Sequence, residues 1–176
     1  MLKQLNRGRM ILLVAMVLAA AGYRLVPHPP NFGPVTALAL FGGAHFPDRR
    51  LALLVPLAAM FLSDLVLGLH GLVPVTYACF ALSVCLGWWV RRRQNPGRIA
   101  VATLASSVLF YVVTNFAVWA WTDLYPRTES GLVACYVAAL PFFRNALAGD
   151  FLFTTVLFGS VAAAEQRLPQ LRPAAV

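Results

Sequence analysis

Residues 24–43 read RLVPHPPNFGPVTALALFGG. Pro27, Pro29 and Pro30, with His28 and Asn31 among them, interrupt an otherwise apolar text that resumes at Phe32. Proline fixes the backbone and withholds an amide donor, so no regular helix runs through PHPP. The stretch is therefore a turn between two apolar segments, and the fold depends on what that turn connects.

Outward from it the composition names the solvent. Of the 176 residues 60% are hydrophobic and only 11% charged, with a mean hydropathy of +0.75. So little polar surface cannot coat a soluble globule, and apolar runs near bilayer length recur along the chain. The expected fold is an all-α integral membrane protein, a six-transmembrane-helix bundle forming one domain over 1–176. Helices are expected at about 10–26, 33–46, 51–69, 72–90, 99–121 and 140–164, the second short for a crossing. Stop signals stand between them at PHPP 27–30, PDRR 47–50, HGLVP 70–74, RRRQNPGR 91–98 and TDLYPRTESG 122–131.

The excess of 14 Lys and Arg over 6 Asp and Glu falls mostly in short tracts between apolar runs. The positive-inside rule accounts for it, and no nucleic-acid partner is implied. With a cytoplasmic N-terminus, the inner side receives Lys3, Arg7, Arg9, Arg49, Arg50, Arg91, Arg92, Arg93, Arg98, Arg167 and Arg172. The outer side receives Arg24 and Arg127, and both termini are cytoplasmic. The basic N-terminus, its apolar run and AAAG at 19–22 also fit a cleavable signal peptide, but cleavage would leave five spans and misplace the 91–98 tract. A retained helix is expected, with Ala15 and Ala19 serving close internal packing.

In this orientation the intramembrane polar residues gather towards the outer end: Asp64, Cys79, Thr114, Asn115, Arg144 and Asn145. A charge within the bilayer costs about 2.5–3.5 kcal/mol, so Asp64, Arg144 and Asp150 should face the interior or a watery cavity. Their shared depth implies a pocket open to the outside, with the PHPPN turn at its rim. Plainer readings stand beside this one. Asp64 and Arg144 can form a structural ion pair, His28 can hold the turn, Trp119 and Trp121 can form the interfacial belt, and Phe142 and Phe143 can face lipid.

Cys79, Cys85 and Cys135 show no zinc spacing. A Cys79–Cys135 disulfide is open in an oxidising compartment. Thr76, Cys79 and Ser83 share a helical stripe beside Tyr77 and beneath the expected pocket. Cys79 is either a small buried hydrophobe or a soft metal ligand and nucleophile.

The segments RLVPHPPNFGPVTALALFGG, SDLVLGLH, VTYACFALS, TNFAVW and LPFFRNALAGD lie within residues 10–164. Together they resemble the solitary substrate-binding S-components of energy-coupling-factor (ECF) vitamin transporters, and specifically the BtuM-like cobalamin S-components of Gram-negative bacteria. The resemblance implies a six-helix bundle of the ECF S-component type in the bacterial inner membrane, taking up vitamin B12 (cobalamin) from the periplasmic face. It implies that Cys79 is the ligand to the corrin cobalt, holding cobalamin base-off, and the thiol that removes cyanide from cyanocobalamin. His28, Asp64, Tyr77, Arg144 and Asn115 become substrate-binding candidates. Ala15 and Ala19 match the small-residue pattern by which S-components dock an ECF coupling module, although solitary members work without a dedicated ATPase. No phosphate-binding P-loop occurs in the chain, so any ATP use belongs to another protein. Two alternatives remain: a carrier of another vitamin or small polar solute, and a thiol-dependent membrane enzyme that transports nothing.

Overall fold

The computed structural model describes residues 7–172, and all regular structure among them is helical. Six helices follow in order: α1 (Arg7–Tyr23), α2 (Val35–His45), α3 (Arg49–Leu67), α4 (Val73–Arg91), α5 (Pro96–Trp121) and α6 (Glu129–Arg167), with a short 3-10 turn at Pro169–Leu171. By length and composition α3, α4, α5 and α6 can each cross a membrane. Ile11 is 69% exposed and Val66 71%, an outer surface suited to acyl chains rather than water. The protein is a membrane-embedded helical bundle.

Local chemistry sets the helix ends. Asp48 caps α3 by accepting the amides of Arg50 (2.7 Å) and Leu51 (3.1 Å). Asn95 caps α5 through the Arg98 amide at 2.8 Å, ahead of Pro96 at the first helical position. Gly68, with φ of 99°, closes α3 in a conformation that glycine alone adopts without strain.

Two helices differ from the sequence reading. The sixth begins at Glu129, not near 140, because Thr128 caps it through the Gly131 amide at 3.1 Å and the helix runs on through Pro141. Membrane helices tolerate such a proline where neighbours compensate the lost hydrogen bond. The second is not a short crossing. α2 has 11 residues, about 16 Å at 1.5 Å per residue against roughly 30 Å of hydrocarbon. Residues 36–45 are all buried, and each of the other five helices touches α2. A helix apolar on every side belongs in a core, and here that core is the bundle axis.

Backbones come close around α2. A Cβ on Gly43 would lie 2.2 Å from the Val84 carbonyl oxygen, and one on Gly87 would lie 2.4 Å from that of Leu40. α2 and α4 thus meet main chain to main chain. Nearer the chain start, Leu13 and Val17 are fully buried and carry α1 into the bundle. That stripe excludes Ala15 and Ala19, which are exposed, so the expected internal packing of this pair does not occur.

The bundle has two unlike ends. At the arginine end, Arg91 donates to the carbonyls of Phe46 (2.9 Å) and Pro47, and Arg9 bridges to Glu165 and to the Leu171 carbonyl (2.9 Å). α2 finishes there. Its first turn therefore stops near mid-bundle, and the half above it, towards the 24–34 turn, is left for something else.

Candidate functional site

The 24–34 turn is built as a roof. Asn31 takes φ of 60°, a left-handed conformation that asparagine tolerates, and the Phe32 amide donates to Pro29 O at 3.0 Å. Asn145 of α6 donates to Pro30 O at 3.1 Å. A Cβ on Gly149 would lie 2.9 Å from the Gly33 nitrogen, so glycine lets the turn rest on α6. Tyr23 packs on Phe153 with centroids 4.8 Å apart and stacks on His28 at 5.4 Å and 11°.

Below this roof and above the start of α2 lies a cavity of about 380 Å³. Val35 and Thr36 form its floor. Thr76 and Phe80 of α4, with Ser107, Tyr111 and Asn115 of α5, form two walls. Phe142, Phe143 and Asp150 supply the α6 side, and Arg24, Asn31 and His70 stand nearer the turn end.

Asp150 is the charge at the base of the cavity and is 2% exposed. Ser107 Oγ donates to its Oδ2 at 2.7 Å, and the backbone amides of Thr36 and Ala37 point at the carboxylate. Pro34, the residue at the N-cap of α2, has no side-chain capping bond. Asp150 takes that part from α6, placing a carboxylate on the positive end of a helix dipole. A ligand above would meet aromatic faces, hydroxyls and one anchored carboxylate.

A second polar cluster pins the end of α1. Arg24 pairs with Asp64 (Nη1–Oδ1 2.7 Å) and also contacts Ser63. Tyr77 OH donates to Asp64 Oδ2 at 2.7 Å. Both carboxylate oxygens are thus committed, and α1, α3 and α4 are tied together.

The sequence-derived candidates are distributed as follows. Asn115 lines the cavity, with its Nδ2 donating to Tyr111 O at 2.8 Å. Asp64 and Tyr77 lie in the Arg24 cluster, outside the lining. The ion partner of Asp64 is Arg24 rather than Arg144. Arg144 is exposed and shares an outward stripe of α6 with Val137, Leu140, Ala148 and Phe151; it has no ion pair among the described residues. His28 belongs to the turn, its Nδ1 3.0 Å from Pro29 O.

Cys79 is 1% exposed and falls between the lining residues Thr76 and Phe80 along α4, outside the lining itself. Ser83 Oγ donates to its carbonyl at 3.0 Å. All three cysteines are free, and Cys135 Sγ lies 3.4 Å from Asn115 O. No cluster of three His, Cys, Asp or Glu able to hold a metal ion occurs among the described residues. Trp119 Nε1 donates to Pro126 O at 3.0 Å, while Trp121 is 67% exposed, as an interfacial belt residue would be.

His28→Ala removes a stacked ring from the roof and nothing from the cavity wall. The expected loss is about 1 kcal/mol, the usual worth of an aromatic pair, read as a small drop in melting temperature in detergent. A drop as large as that of Asp150→Ala would show that His28 does more than stack.

Sequence reasoning assigned no site role to Ser107 and Thr36, and placed Asp150 in the interior without a partner. An acid in an apolar helix was the available signal for Asp150. Its counterpart is a set of backbone amides, which no residue letter reveals.

No curated protein and no solved structure matches the chain. Residues 4–171 match the profile of DUF6580. A polar cavity above a half-length axial helix is thus the candidate site of a chain that belongs to DUF6580, a family of unknown function.

Proposed function

We propose that the protein captures cobalamin at the turn end of the bundle and carries it across the bacterial inner membrane, as a bundle of the S-component type. The arginine-rich end and both termini then face the cytoplasm, as the positive-inside rule requires. One observation supports this reading: the cavity lies at the end opposite the arginine-rich one, and the buried Cys79 falls between its lining residues Thr76 and Phe80 along α4. Phe80, which stacks on Phe110 at 5.8 Å, would have to turn aside for Sγ to meet a ligand in the cavity. The chemistry is a ligand exchange at cobalt: sulfur forms the new bond, cyanide leaves, the thiol proton goes with it as hydrogen cyanide, and the oxidation state is unchanged. In this reading Asn115, Ser107 and Asp150, which line the cavity, meet the amide side chains of the corrin.

A second reading has its own support. About 380 Å³ is less than a whole corrinoid occupies, and the thiol is 1% exposed. A more compact vitamin-sized solute, with a donor for Asp150 and an apolar face for Phe142 and Phe143, fits the cavity without moving Phe80.

The visible spectrum of detergent-purified protein after incubation with cyanocobalamin and desalting separates the two. Retained colour in equimolar amount, with a spectrum shifted from free cyanocobalamin and reverting in Cys79→Ala, is the result expected for cobalt–thiolate capture. Colour that is retained but unchanged in Cys79→Ala would keep the carrier and remove the thiol from its chemistry. A colourless wild type would overturn the cobalamin reading in favour of the smaller solute.

A further inference from the structure

At the end of the bundle remote from this pocket, the start of α3 and the end of α4 enclose a second cavity of about 470 Å³. Arg49, Arg91 and Arg92 line it, with Trp88, Trp89 and Cys85. Arg49 and Arg91 are close enough for their charges to oppose one another. None of the three arginines is in an ion pair with a carboxylate among the described residues. The adjacent Asp48 accepts the amides of Arg50 and Leu51 through Oδ1 and neither lines the cavity nor pairs with these arginines. Two carbonyls hold Arg91 in place, and the Arg49 guanidinium stands 5.4 Å above the Trp88 ring. The Trp88 indole N–H is buried and has no hydrogen-bond partner among the described residues. Three guanidinium groups gathered with no carboxylate in the lining repel; an anion relieves the repulsion and gives their donors acceptors.

The surface leading to the cavity says what kind of anion. Ala78, Leu82, Cys85 and Trp89 are exposed and recur every three or four residues, so they form one stripe along α4. That stripe runs from the bilayer interior to the cavity mouth, where Trp89 also carries Arg98 over its ring at 4.0 Å. A soluble phosphate would use the arginines and leave the stripe idle. A phospholipid uses both.

We propose that this cavity binds the phosphodiester of an anionic phospholipid, with its acyl chains lying along the α4 stripe. A headgroup carrying net negative charge is favoured over a zwitterionic one, because no carboxylate lines the cavity to meet an ammonium. The site does not depend on what the pocket at the other end binds.

The test uses the delipidated full-length protein in detergent and native mass spectrometry, with phosphatidylglycerol and phosphatidylcholine of identical chains. Wild type is expected to retain one phosphatidylglycerol in preference to phosphatidylcholine. In Arg49→Gln/Arg92→Gln its affinity should fall about thirtyfold, the combined effect of two interfacial charges, with phosphatidylcholine retention unchanged. Equal retention of the two lipids by wild type would overturn the proposal, as would wild-type retention of phosphatidylglycerol by a folded double variant. Inorganic phosphate displacing the lipid at equal concentration would assign the cavity to a soluble anion instead. Should the double variant not fold, the two wild-type comparisons decide alone.

Discussion

Gly43→Val is expected to abolish recovery of folded monomer from detergent extracts. A Cβ at this position would stand 2.2 Å from Val84 O and 2.9 Å from Gly87 Cα, and both are main-chain atoms that no rotamer change can move. α2 has no room to retreat, since residues 36–45 are enclosed on all sides. Ordinary overpacking costs about 1–3 kcal/mol because side chains can shift. A backbone collision between central helices should exceed that, reaching a large part of the roughly 5–15 kcal/mol that holds a typical domain together. Gly159→Val in α6 is the control, because a Cβ there meets nothing within 4 Å. Size-exclusion chromatography and thermal melting of both variants check the contrast. A monodisperse Gly43→Val protein melting near wild type would mean that α2 and α4 are not in backbone contact.

Asp150→Ala should be the next most damaging change, and it reports on the site as well as the fold. It leaves the amides of Thr36 and Ala37 without their acceptor, while Ser107 Oγ keeps only Thr103 O at 3.0 Å. Each buried donor left without an acceptor costs about 1–3 kcal/mol, so a total loss of roughly 3–5 kcal/mol is expected. Asp150→Asn keeps one acceptor oxygen but gives up the negative charge at the helix start, a term of up to about 2 kcal/mol. Its loss should be about half as large. Melting curves give the ranking, and retention of cyanocobalamin gives the functional readout. An asparagine variant that is stable yet no longer retains ligand would put the carboxylate in contact with the ligand. Wild-type melting of Asp150→Ala would remove Asp150 as the cap of α2.

The sequence carried the number and approximate position of the helices because lipid imposes a length on apolar text. α1 to α5 each start and stop within three residues of the expected bounds. The start of α6 was expected near 140 but lies at Glu129, where Thr128 at the end of the 122–131 tract supplies the cap. What was not legible is rotation. Asp64 was placed opposite Arg144 by depth, yet depth does not say which way a side chain turns, and at 100° per residue a small error in helix phase exchanges lining for lipid face. Where a helix is buried all round, as α2 is, no amphipathic stripe fixes that phase. Arg24 was assigned to an outer loop and instead closes an ion pair with Asp64 at 2.7 Å. The carboxylate beneath the cavity was readable as an interior charge, but its partners are the amides of a helix whose starting point is set by Pro34.

The enclosure of α2 also bears on how the chain is made. A segment with almost no side chain facing lipid gains nothing by standing alone in a bilayer, and 11 residues are too few to span it. Its resting place exists only when the surrounding helices are present, and the wall formed by Phe158 against Phe41 (5.7 Å) and His45 (4.9 Å) is synthesised more than a hundred residues later. The second helix in the chain is therefore fully enclosed only once the sixth is in place. Until α6 has left the ribosome, residues 35–45 have α3, α4 and α5 to rest on but lack the wall that closes over them.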